Sequence, residues 1–282
     1  MKHLITGAVS LCAAGAAYGY YQNNVLQVTR HALDIGLSTP IKLVCLADLH
    51  GKQFGKNNSR LIEQVRNLAP DLIVFPGDTL SADCHHLSAT VKTLRALSRI
   101  APCFLIAGNH EHRSGRWAEI AAKFRAAGVV VLENTQFDGN IHGVPLHIMG
   151  LDEGLAVSRL DYVRAACKTL RYTDNRACLR DLSQQDGLRI VLSHFPEYYA
   201  LIGELSYCRF PFDLMLCGHA HGGQVRLGKR LALFAPGQGL FPRFCQGMHG
   251  SNPSLLVSRG LGNDSPLPRV NNRPEIVSVT IM

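Results

Sequence analysis

The sequence predicts an α/β fold, a βαββ sandwich of two mixed sheets flanked by helices. Three observations predict it. Short, wholly apolar runs alternate with stretches of helical periodicity, the pattern of strands in a sheet covered on both faces. From Gly223 onward the chain is rich in Gly, Pro and short strand-like segments, which can supply a second sheet. No internal repeat, low-complexity tract or Pro/Gly/Ser linker divides the 282 residues. One domain, 23–282, therefore follows an N-terminal hydrophobic segment, 1–22.

The N-terminal segment starts with Lys2 and continues without charge. Leu4 to Tyr21 spans eighteen residues, just within the length that crosses a bilayer, and Tyr18, Tyr20 and Tyr21 resemble an interfacial belt. An anchor is the expectation. Ala14-Gly15-Ala16 offers a cleavable signal peptide as the alternative. Leu11 excludes a lipobox at Cys12, and Lys2, Arg30 and Lys42 leave the orientation unread.

Asn23 to Ile35 alternates loosely and reads as an edge strand. Ile41–Leu46 is a buried strand. Asn58–Leu68 has helical spacing at Leu61, Ile62, Val65 and Leu68. Asp71–Phe75 is a second buried strand, Leu87–Ile100 a helix, Cys103–Ala107 a third strand and Gly115–Ala127 a third helix. Val129–Leu132 and His142–Leu151 read as strands, and their closeness in sequence predicts antiparallel pairing. Helical patterns at 159–170 and 177–185 follow. Two further apolar strands, Arg189–Leu192 and Asp213–Cys217, precede the Gly-rich third and the final strand at 274–281.

Composition narrows the function classes. At 46% hydrophobic and 18% charged, the chain is neither disordered nor fibrous. Lys plus Arg (29) exceed Asp plus Glu (21), a formal charge of +8 that suits phosphate esters, anionic lipid or nucleic acid. Aromatics are only 7%, and the cations are dispersed without an aromatic–basic stripe, so nucleic acid is not expected. None of the nine cysteines forms a C-x-x-C pair, against a zinc knuckle or a thioredoxin motif. Cys45, Cys103 and Cys217 lie in apolar runs and read as core residues. A scattered, odd set points to a reducing compartment.

Five apolar strands each end in metal-binding side chains: Asp48-Leu49-His50, Gly77-Asp78, Gly108-Asn109-His110-Glu111, Ser193-His194 and Gly218-His219-Ala220-His221. Each string alone is a weak signal, more often a turn or a solvated pair. Ligands of open α/β sheets gather outside the carboxyl ends of the strands, so five strings at five strand ends converge on one place. The ligand count predicts two ions. Asp48, His50 and His221 would hold one, Asn109, His194 and His219 the other, with Asp78 bridging. Imidazole and oxygen donors without thiolate suit manganese first, with Fe, Zn, Ni, Co or Mg as alternatives. Two such ions can hold a shared hydroxide to attack phosphorus in line. His110, not needed as a ligand, is placed to protonate the leaving oxygen or to steady the transition state.

Over residues 40–225 this motif set resembles the signature of the calcineurin-like metallophosphoesterases. The resemblance implies a metallophosphoesterase-type sandwich with a dinuclear site at one edge, hydrolysis of a phosphoester, His110 as the catalytic histidine and the other seven residues as ligands. The flanking His221-Gly222-Gly223-Gln224-Val225, Ala235-Pro236-Gly237-Gln238-Gly239, Ser258-Arg259-Gly260-Leu261-Gly262 and Asn272-Arg273-Pro274-Glu275 are similar to the small bacterial YkuE/YaeI-type phosphodiesterases. That branch implies membrane association at the bacterial inner membrane. It also implies a phosphodiester or pyrophosphate substrate, such as a UDP-2,3-diacylglucosamine-like lipid precursor of lipid A biosynthesis. Thr79-Leu80-Ser81-Ala82-Asp83 lacks the arginine that many relatives carry after Gly-Asp, which leaves Arg113 and Arg259 as candidates to bind substrate phosphate.

The expected protein is thus a monomeric, membrane-associated phosphodiesterase or pyrophosphatase with two divalent ions. A non-catalytic metal-binding scaffold would have lost ligands or the histidine, and all eight residues are present. A DNA or RNA nuclease is the third reading. Leu240-Phe241-Pro242-Arg243-Phe244 is an apolar loop with one cation; core packing is its first reading, and bilayer or acyl-chain contact its second.

Overall fold

The computed structural model describes residues 2–154, 174–200, 206–228, 231–265 and 267–282. Two six-stranded sheets lie face to face. The first contains β1 (Gln27–Leu33), β16 (Glu275–Ile281), β2 (Ile41–Cys45), β3 (Leu72–Pro76), β4 (Cys103–Ile106) and β5 (Val129–Val131), in that spatial order. β2 to β5 are parallel, β16 runs antiparallel to β2, and β1 closes the edge parallel to β16. The second contains β14 (Gly247–His249), β15 (Ser254–Val257), β9 (Leu214–Cys217), β8 (Leu188–Leu192), β7 (Val144–Gly150) and β6 (Thr135–Ile141). Its four central strands are parallel, and β14 and β6 are antiparallel edges.

Strand alternation builds three apolar layers. Leu43, Val74, Phe104 and Ile106 point inward from the first sheet and meet Ile148, Ile190, Leu192, Leu214 and Leu216 from the second. Val44, Ile73, Phe75 and Leu105 point outward to α2 (Ser59–Leu68), α3 (Leu87–Leu97) and α5 (Trp117–Ala126), which bury Leu61, Val65, Leu94, Ile120 and Phe124 against them. Val191, Met215, Cys217 and Leu255 form the third layer with Leu179 and Leu182 of α6 (Arg176–Ser183) and with Phe195, Tyr207 and Phe212. Cys45, Cys103 and Cys217 are buried thiols inside these layers, as expected.

Several expectations change. β5 and β7 are not an antiparallel pair: β5 pairs with β4 at the far edge of the first sheet, and β7 takes β6 as its antiparallel partner. The sequence hides β6 because its polar Gln136, Asp138 and Asn140 sit on a half-exposed edge. The second sheet comes mostly from the middle of the chain. The C-terminal third adds β14 and β15 to it and returns β16 to the first sheet. The expected helix at 159–170 lies outside the described residues. A short helix, α4 (Asn109–Arg113), follows β4 directly.

α1 (Lys2–Asn24) extends past the expected boundary at residue 22, and its end is tied to the domain. Tyr18 Oη donates to Asn271 Oδ1 (2.5 Å), Gln22 Oε1 accepts from Asn272 N (3.0 Å) and Asn23 Nδ2 donates to the Arg269 carbonyl (3.3 Å). Residues 10–18 are exposed. Among the described residues no helix is long and apolar enough to cross a membrane. Beyond β9 two short hairpins stand on the body: β10 (Arg226–Leu227) with β11 (Leu231–Ala232), and β12 (Phe234–Ala235) with β13 (Gly239–Leu240).

Candidate metal centre

The five polar strings leave the carboxyl ends of β2, β3 and β4 in one sheet and β8 and β9 in the other, and meet where the sheets share an edge. Asp48, His50, Asp78, Asn109, His194 and His219 are all at most 6% exposed. Their ligand atoms gather in overlapping groups. Asp48, His50 and His221 form one, Asp78, His194 and His219 another, each with its atoms within 4.8 Å of one another. Asp78 Oδ2 lies 3.3 Å from His194 Nε2 and 3.8 Å from His50 Nε2, so one carboxylate oxygen faces both groups. Asn109 Oδ1 lies 3.1 Å from His194 Nε2. A third group joins His50, Asp78 and His110, so the seven expected ligands and His110 lie in one place, with Asp78 rather than Asn109 grouped with His194 and His219.

The backbone of these residues is unusual. Asp48 (φ 49°), His50 (φ 49°), Asp78 (φ 50°), His219 (φ 66°) and His221 (φ 47°) all occupy the left-handed region, which costs a side chain of this kind on the order of 1 kcal/mol or more each. Such strain persists only where surroundings over-determine it. Two buried carboxylates do so. Glu111 accepts from the N–H groups of Asp78 (3.0 Å), Leu80 (2.8 Å) and Gly108 (2.8 Å), which locks the β3 loop to the β4 loop. Glu153 accepts from Ser193 Oγ (2.6 Å) and from the N–H groups of His194 (2.7 Å) and Phe195 (3.2 Å), which locks the β8 loop to the loop after β7. Gly108 admits Asp78 beside it: a Cβ there would stand 2.5 Å from Asp78 N. The His219 N–H donates to both oxygens of Asp48 (2.9 and 3.1 Å).

Electrostatics fit a cation pair. Burial pushes His50 down to about 4 and drives His219 and His221 well below their ordinary range, so these imidazoles stay neutral with lone pairs free. Burial, with Asp78 nearby, lifts Asp48 to about 7. Asp78 is also lifted by burial, but His194, His50 and His110 outweigh that and hold it well below the carboxylate range. His194 is lowered by burial and raised more strongly by Asp78, for a net rise. Its Nδ1–H donates to the Pro76 carbonyl (2.9 Å), which turns Nε2 toward Asp78 and Asn109. Neutral imidazoles crowded around two buried carboxylates, with His50 Nε2 only 3.3 Å from His221 Nε2, form an incomplete set that divalent cations complete. No thiolate takes part, so the donors suit first-row divalent ions.

His110 sits at the mouth of this cluster with its side chain 12% exposed. The Ala82 N–H donates to its Nδ1 (3.4 Å), which leaves the ring proton on Nε2, 3.2 Å from Asp264 Oδ2. A cavity of about 250 Å³ opens there. His110, Arg113 and Asp264 line it together with the apolar Val225, Leu233, Phe234, Pro236 and Leu267. Arg113 is exposed and forms no ion pair among the described residues. Arg259, the other candidate for substrate phosphate, does not reach this cavity. Its guanidinium is bound to Glu275 at 2.9 Å and lines a separate depression with Thr29 and His31. The structure thus withdraws Arg259 from the candidate site: a buried cation already neutralised by a carboxylate is not available to a phosphate.

Sequence reasoning missed three supports. Glu111 lay within a quoted string but carried no role. Glu153 lies three residues beyond β7, so the strand-end logic that found the others would also have flagged it. Arg269 left no local signal. It is fully buried, donates to the carbonyls of Gly262 and Arg259, and stands with Nη2 3.3 Å from His221 Nδ1.

Comparison with known proteins agrees with this geometry. A family model described as calcineurin-like phosphoesterase matches residues 41–223. The chain is 28% identical over 286 residues to the phosphodiesterase YaeI of Escherichia coli (strain K12), covering 98% of this chain and 96% of that protein. It is 27% identical over 287 residues to the uncharacterized metallophosphoesterase YkuE of Bacillus subtilis (strain 168), covering 97% and 93%. Among solved structures, a dimetal phosphatase from Danio rerio matches with a TM-score of 0.50 at 11% identity, over 78% of this chain and 87% of that one, a likeness of fold.

Proposed function

The chain belongs to the calcineurin-like phosphoesterase family and is a phosphoester hydrolase, and from that premise we propose that it cleaves a phosphodiester or pyrophosphate bond of an anionic, lipid-linked substrate with two divalent ions, manganese first among them. Asp48, His50 and His221 would hold one ion, Asn109, His194 and His219 the other, and Asp78 both. The observation that carries this reading is Asp78 Oδ2, which faces the two ligand groups at once. When bound, two such ions supply Lewis-acid charge against the phosphoryl oxygens and acidify water.

The protein's own groups do the rest. The Nε2–H of His110, which faces Asp264 Oδ2 at 3.2 Å beside the cavity, delivers a proton to the departing oxygen, and Asp264 orients the ring. Arg113, exposed at the mouth, meets the substrate's second anionic group. The apolar wall from Val225 to Leu267 excludes water and favours a substrate with an apolar portion.

His110→Ala tests the assignment. Manganese content should be unchanged, and kcat for bis-p-nitrophenyl phosphate should fall by about 10²–10⁴-fold. Undiminished turnover would reject the role given to His110. A panel of diester, monoester and pyrophosphate substrates, run with Mn²⁺, Mg²⁺ and Zn²⁺, then separates the substrate classes.

A further inference from the structure

The apolar wall of the cavity continues onto the surface. Leu227 (63% exposed), Leu231 (42%), Leu233 (38%), Phe234 (37%), Leu240 (59%) and Phe241 (61%) project from the two hairpins, and Leu267 (55%) from the facing loop. Of the large apolar side chains exposed among the described residues, only Val130 and Met282 lie outside this rim and α1. Clustering of this kind marks a contact surface.

The rim and α1 are one structure. Tyr18 donates to Asn271, Asn271 Nδ2 donates to the Arg226 carbonyl (3.1 Å), and Val270 bridges Val225. The Leu233 N–H then reaches the Val225 carbonyl (2.9 Å), and the Phe241 N–H reaches that of Leu233 (3.0 Å). α1 carries no charge between Lys2 and its end, and its apolar residues form no single stripe that one protein partner would cover. Cations flank it: Arg273 stands over the Tyr21 ring (5.0 Å) at the root of α1, and Arg243 is exposed at the base of the second hairpin.

We propose that this rim seats the enzyme on an anionic lipid bilayer. The hairpin side chains enter the interface beside α1, and the cavity mouth faces the lipid. This rests on the reading of a lipid-linked substrate, which could then pass from the bilayer to His110 along Leu233, Phe234 and Leu267 without crossing water. α1 alone falls short of a span, and two weak apolar elements on one side together give stable attachment.

The test is flotation of the full chain with mixed phosphatidylcholine–phosphatidylglycerol vesicles, beside phosphatidylcholine vesicles alone. Wild type should float with the mixed vesicles, and more weakly with the neutral ones. The double variant Leu240→Glu, Phe241→Glu should bind about tenfold less with an unchanged thermal melt, and Leu227→Glu on the other hairpin should act in the same direction. Wild-type flotation retained by both variants would overturn the proposal, as would absence of flotation. So would a dimer, formed without vesicles, that the double variant dissolves. Hydrolysis of the soluble diester by wild type is measured in parallel, so failure of the phosphoesterase reading is distinguished from failure of the seating.

Discussion

Glu111 and Glu153 are both buried, each accepts three of the hydrogen bonds described above, and each holds a loop that carries candidate ligands; replacement by glutamine should nevertheless affect them unequally. All three donors to Glu111 are backbone N–H groups, which cannot reverse. With the glutamine oxygen kept on Asp78 N and Gly108 N, its amide nitrogen faces Leu80 N, so the Leu80 N–H and the new amide N–H are both left without an acceptor. At about 1–3 kcal/mol for each unsatisfied group, Glu111→Gln costs about 2–6 kcal/mol. In a chain of this size that lowers the melting temperature by about 4–20 °C. Displacement of Asp78 should also weaken metal binding by about 10–100-fold. Glu153 differs because one of its donors is the Ser193 hydroxyl. The glutamine oxygen keeps His194 N and Phe195 N, and the hydroxyl rotates to accept from the new amide. Toward these three donors only charge assistance is lost, about 1 kcal/mol or about 2–4 °C. Scanning calorimetry of both variants in chelator, followed by manganese titration, measures the difference. Equal shifts, or a larger one for Glu153→Gln, would refute the reasoning that donor reversibility decides how these loops are held.

Gly108→Ala places a Cβ 2.5 Å from Asp78 N, so the bridging carboxylate must shift; kcat/KM for the soluble diester should fall by about 10²-fold, read beside the metal content of the purified variant. The His112–Asp152 pair (2.8 Å), which joins α4 to the loop after β7, should make stability depend on pH. The Asp152 carboxylate raises His112 above its ordinary 6.5, so that contribution is complete below 6.5 and lost as pH rises through the folded value. Asp152 is itself lowered from 3.8 by His112, so its share is present above 3.8 and lost as pH falls through the folded value. Asp152→Asn should therefore lower the melting temperature more at about pH 5.5 than at about pH 9. A pH-independent difference would dissociate the pair from stability.

The strand ends were legible in the sequence because a buried parallel strand needs an unbroken apolar run, and the first polar residue after it marks where the chain leaves the core. Asp48, Asp78, Asn109, His194 and His219 all follow such runs, so their convergence could be inferred before any coordinates. The flanking Arg259 could not be judged that way: whether a cation faces a phosphate or a buried Glu275 depends on what lies opposite, and sequence spacing is silent on that.

From its residues alone, then, this chain declares an α/β sandwich, a hydrolytic metal-site chemistry and the eight side chains that would perform it, because periodicity and ligand type are local properties. Tertiary structure decided the pairing of β6 with β7, the return of β16 to the first sheet and the left-handed backbone of five of those side chains. It also decided the burial of Glu111 and Glu153 behind them and the exposure of Leu240 and Phe241 beside the cavity. Each of these depends on contacts between residues distant in sequence, where the strain of one segment is offset by hydrogen bonds from another.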